Sequence, residues 1–74
     1  MSSDKWRLEI YRPEGGLKSP VALYEFHSLA SLRITIIENR GRTFVVRAPV
    51  RVTPDDRKTL LDLRAQGFDI AIRA

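Results

Sequence analysis

The stretch from Thr53 to Arg73 leaves this chain the fewest choices, because it marks a helix at both ends and then forces a strand. Thr53 offers a side-chain oxygen to the first turn. Pro54 suits the first helical position, where its missing N–H would be unpaired anyway, and Asp55 and Asp56 set negative charge against the positive end of the helix dipole. Thr53-x-x-Asp56 is a near relative of the capping box. Leu60, Leu61, Leu63 and the aliphatic stem of Arg57 are expected on one face, with Asp55, Lys58 and Asp62 on or near the other. Arg64 falls in the last turn, and Gly67 sits where a left-handed residue closes a helix. Phe68-Asp69-Ile70-Ala71-Ile72-Arg73 then alternates, with Ile70 and Ile72 on one side and Asp69, Ala71 and Arg73 on the other, so a strand follows directly.

An earlier segment repeats this grammar. Ser19-Pro20 resembles the cap-plus-proline start, and the residues after it place Ala22, Leu23, Phe26, Leu29 and Ala30 on one helical face. The rival reading is a strand from Val21 to Phe26 hairpinned onto the first strand, since Tyr and Phe in alternation fit a sheet almost as well. That first strand is Lys5 to Tyr11, with Trp6, Leu8 and Ile10 inward and Arg7, Glu9 and Tyr11 outward. Leu32–Ile37 and Thr43–Arg47 are β-branched runs that read as a hairpin. Ile34 and Ile36 share a buried face with Phe44 and Val46 only if the loop is Asn39-Arg40-Gly41, with Gly41 left-handed, and this register sets Arg33 opposite Arg47. Ala48-Pro49 ends the pairing.

The expected order is strand, helix, strand, strand, helix, strand: a small two-layer α+β domain, residues 1–74, of ferredoxin-like split βαβ topology with one open sheet face. The alternative is a sheet of five strands packed on the single helix 54–66. A chain of 74 residues buries only about 60–65% of the surface its unfolded form exposes, so stability should be modest. There is no cysteine, no apolar run long enough for a membrane span, and no apolar core in the starting Met-Ser-Ser-Asp-Lys-Trp. The reading is cytoplasmic, with no membrane partner.

Ten of the thirteen basic residues are arginine, and the net charge is +4. From Asn39 to Pro54 there are four arginines and no acid. Arg33, Arg40, Arg42, Arg47 and Arg51, with Tyr11, are therefore the candidate nucleic-acid or anion-binding residues. Opposed like charges cost stability, so Arg33 and Arg47 make more sense with an anion between them; the plain alternative is that both splay into water. The open face would carry Arg7, Glu9, Tyr11, Arg33, Thr35, Ile37, Thr43, Val45, Arg47, Asp69, Ala71 and Arg73. The aromatic stacking pattern of single-stranded RNA modules on this topology is missing. No catalytic set, metal site or cofactor motif emerges: His27 stands alone, each acid has a helical explanation, and Gly15-Gly16-Leu17-Lys18-Ser19 lacks phosphate-loop spacing. The chain reads as a non-catalytic binding protein for nucleic-acid phosphates; the second reading is a protein-docking or regulatory module, possibly a homodimer.

Overall fold

The computed structural model describes residues 5–15, 19–49 and 51–73. Its elements are β1 (Trp6–Tyr11), a short 3₁₀ turn at Pro13–Gly15, β2 (Ala22–Phe26), α1 (Leu29–Glu38), β3 (Thr43–Arg47), α2 (Pro54–Ala65) and β4 (Asp69–Arg73). The four strands form one mixed sheet in the order β2-β1-β3-β4. β1 is antiparallel to both β2 and β3, whereas β3 and β4 are parallel. β2 and β3 therefore run the same way on either side of β1, and α1 links them across it.

One side of the sheet carries Trp6, Leu8 and Ile10 from β1, Phe44 and Val46 from β3, and Ile70 from β4. Leu29, Leu32 and Ile36 of α1 and Leu60 and Leu63 of α2 close the same cluster, so both helices lie on this side. The shortest dimension, 18 Å, is that of one sheet and one helix layer. The domain is thus a small α+β two-layer structure, and no helix of the described residues lies over its other sheet face.

The second half forms as its residues dictate. Thr53 Oγ1 accepts from the Asp56 N–H at 3.1 Å while Asp56 accepts from the Thr53 N–H, a complete capping box. At the other end the Phe68 N–H reaches the Leu63 carbonyl and the Gly67 N–H reaches that of Arg64, the paired closure of a Schellman motif, with Gly67 at φ +101°. Leu61 departs from expectation: it is 53% exposed. At about 100° per residue it lies well outside the stripe set by Leu60 and Leu63.

The first half differs from the primary reading. Residues 22–26 are strand, as the rival reading held, and the helix begins only at Leu29; Pro20 precedes a strand. Residues 32–37 are helical, so there is no hairpin between 32–37 and 43–47. The order is ββαβαβ with four strands and two helices, neither the ferredoxin-like βαββαβ order nor five strands on one helix. The physical reason is a competition between two periods. Ile34 and Ile36 alternate, but Leu29, Leu32 and Ile36 fall at helical spacing, and Ser28 caps the start by accepting from the Ser31 N–H. The modest helix penalty of Ile and Thr is outweighed by burying that stripe. Gly41 does take the left-handed region, φ +94°, but in the turn after α1. Of Val50 and Val52, which the sequence allows as an edge extension or as packing under the next helix, Val52 packs against the core, and Val50 lies outside the described residues, as do Gly16, Leu17 and Lys18.

Candidate anion-binding face

The uncovered face is built by strand parity. Because Trp6, Leu8 and Ile10 point to the helices, Arg7, Glu9 and Tyr11 point away from them, and the registers align these with their neighbours in rows. Arg7 pairs with Arg47, which pairs with Arg73; on the other side Arg7 pairs with Glu25. The next row is Leu23, Glu9, Val45 and Ala71, and the last is Tyr11, Thr43 and Asp69. Three arginines thus stand side by side on β1, β3 and β4, neighbouring backbones about 4.8 Å apart. Like charges in direct cross-strand opposition destabilise a sheet, and here the opposition occurs twice in succession.

The carboxylates near this row are largely committed. Glu9 accepts from Arg47 Nε at 2.7 Å with one oxygen and from the Tyr11 hydroxyl at 2.5 Å with the other. Glu25 lies 3.8 Å from Lys5 Nζ, and Asp69 accepts from the Thr43 hydroxyl at 3.0 Å. The Arg47 hydrogen bond holds the Glu9 carboxyl below the usual range, helped by the Tyr11 hydroxyl, with Arg73 adding a smaller pull. The same carboxylate raises the Tyr11 phenol and the Arg47 guanidinium. Since Arg47 meets Glu9 through Nε alone, its terminal amino groups stay available while the side chain is held in place. Val45, at the middle of this face, is nevertheless only 3% exposed.

The candidate residues read from the sequence do not come together. Tyr11 and Arg47 share the face, joined through Glu9. Arg33 lies on α1, on the opposite side of the sheet from Arg47, so the proposed Arg33–Arg47 opposition does not exist. It borders a groove between the helices beside Asp56 and Asp62. Arg40 and Arg42 follow α1, where cations suit the helix C-terminus. Arg40 lies 5.5 Å over the Phe68 ring, and both arginines line a cavity of about 410 Å³ with Gln66, Phe68 and Asp69. That cavity is at the other end of β3 from Arg47, roughly 17 Å along the strand. Arg51 is exposed between β3 and α2. Thr35 and Ile37 also belong to α1 and leave the sheet face.

Arg7 and Arg73 were placed on the open face by alternation but not among the candidate residues. Their signal was parity, and only the strand order β1-β3-β4 puts them beside Arg47. His27 is exposed in the turn before α1, and the described residues hold no cluster of three or more metal-ligating side chains. No helix of the described residues is long and apolar enough to cross a membrane. No family model matches the chain, and no significant match exists among curated proteins or solved structures.

Proposed function

We propose that this is a non-catalytic binding protein whose uncovered sheet face holds the phosphates of a nucleic acid. The observation that supports it is the row Arg7–Arg47–Arg73: three arginines in register on adjacent strands, with Glu9 the one carboxylate among the described residues bonded to any of them. The side chains of Arg7 and Arg73 make no hydrogen bond or ion pair among the described residues. A phosphodiester presents charge at regular intervals, and guanidinium forks match its oxygens. Glu9 fixes Arg47 by Nε and so keeps its remaining donors turned to a ligand at little entropic cost. The face carries no Asn or Gln pair to read base edges, so binding is sequence-tolerant.

A salt series tests this. With three phosphate contacts, the log–log slope of duplex affinity against salt should be about −2.7, each contact giving about −0.9. Arg7→Gln with Arg73→Gln should flatten it by about 1.8, whereas Arg40→Gln with Arg42→Gln should leave it unchanged. Flattening by the second pair and not the first would move the site to the cavity beside Phe68. Absence of binding at low salt removes the proposal.

A further inference from the structure

The two edges of the sheet are protected differently. β4, Asp69 to Arg73, carries a charge at each end, the usual defence of an exposed edge. β2, Ala22-Leu23-Tyr24-Glu25-Phe26, has one charge and no proline within it, and no strand of the described residues lies beside its outer backbone groups. It also exposes its apolar side chains: Leu23 is 67% and Tyr24 45% accessible, with Val21 beside them. Tyr24 and Phe26 stack, ring centroids 5.9 Å apart, on the helix side of this edge.

We propose that β2 is a self-association edge, on which a second copy of this chain docks its own β2 antiparallel about a two-fold axis through Tyr24, forming one eight-stranded sheet. The strand is complementary to itself in that register. Two-fold symmetry perpendicular to the sheet keeps each side chain on its own face, so Tyr24 meets Tyr24 of the second copy and small Ala22 meets large Phe26. On the uncovered face Glu25, the only charge in β2, meets Leu23 and never itself. Aromatic and aliphatic side chains at the centre with a polar margin are what such contacts favour.

The arrangement also bears on the phosphate reading, on which this second step rests. The two uncovered faces come to lie on the same side, and the two arginine rows run outward from the axis, offset by one side-chain step of roughly 7 Å. Eight strands span roughly 34 Å, with three arginines toward each end and the Glu25 of each copy on the strands between them, so the six arginines share one face long enough to follow a polyanion.

Because the chain has no cysteine, one introduced thiol reads the geometry cleanly. Residues paired on the axis have Cα atoms about 4.5–5.5 Å apart, within disulfide range. Tyr24→Cys should give a cross-linked dimer on mild oxidation, and Leu61→Cys on the exposed side of α2 should not. Tyr24→Lys, which opposes two cations on the axis, should sediment as a folded monomer where the unaltered protein sediments as a dimer. Equal cross-linking at both cysteines, or a monomeric unaltered protein at 100-fold varied concentration, overturns the pairing and leaves the edge to a strand of another protein. The oxidised Tyr24→Cys dimer should bind duplex DNA with a salt slope of about −5, about twice that of the dilute reduced protein. Cross-linking with an unchanged slope overturns the shared band alone. Cross-linking without any binding overturns the phosphate reading and leaves the pairing standing.

Discussion

The two faces of the sheet bury apolar side chains by different means. On the covered face Phe44 and Val46 lie under two helices, and their neighbours are Leu, Ile and Trp. On the uncovered face Val45 is almost as inaccessible, yet no helix of the described residues lies over it; Glu9 pairs with it in its own row, between the row of Arg47 and Arg73 and that of Tyr11 and Thr43. The first kind of burial depends on packing and is indifferent to pH. The second is shared with strand neighbours that include Glu9, which is bonded to Arg47, so the proposed phosphate binding would draw on groups that also border this apolar side chain.

That contrast can be broken at three points. Phe44→Ala opens a hole under both helices and should cost about 3–5 kcal/mol by denaturant titration. Val45→Ala should cost about 1–2 kcal/mol, since two methyl groups are lost where the cover can relax. Equal costs at the two positions would mean that the uncovered face is packed as tightly as the core.

Glu9→Gln should have the smallest effect, about 1 kcal/mol at neutral pH, because the carboxylate joins Arg47 to Tyr11 near the surface. Its sign with pH follows from the Glu9 shift. The folded-state pKa is lowered, so the stabilisation is fully present above the ordinary carboxylate value and lost as pH falls through the folded value. The unaltered protein and Glu9→Gln should therefore converge in acid, below about pH 4. A difference that persists to pH 2 would show that Glu9 acts through packing and not through charge.

The covered face was largely legible because its signals are local. Trp6, Leu8 and Ile10 alternate within one strand, and Thr53, Asp56 and Gly67 each specify a backbone feature within a few residues of themselves. The segment from Val21 to Ile37 was harder for an equally physical reason. Its residues satisfy two periods at once, and which one prevails depends on a partner: β1 accepts Ala22–Phe26 as a strand, and the sheet face accepts Leu29, Leu32 and Ile36 as a helical stripe. Local propensity differs between these outcomes by only tenths of a kcal/mol per residue, too little to decide against the burial of a leucine.

The arginine row shows the same division at the level of the site. Parity alone placed Arg7, Arg47 and Arg73 outward, and no further contact is needed for that. Their assembly into one row required the strand order β2-β1-β3-β4 and its registers, pairings between residues 26 to 40 positions apart. Nearness in sequence drew Arg40, Arg42 and Arg47 into one imagined hairpin; the strand between them carries them to opposite ends of the sheet. Residue pattern alone thus set which way the side chains of β1, β3 and β4 point and where α2 begins and ends. Only the tertiary structure decided which of the charges became neighbours, because a strand fixes its own alternation but has no means of choosing the strand beside it.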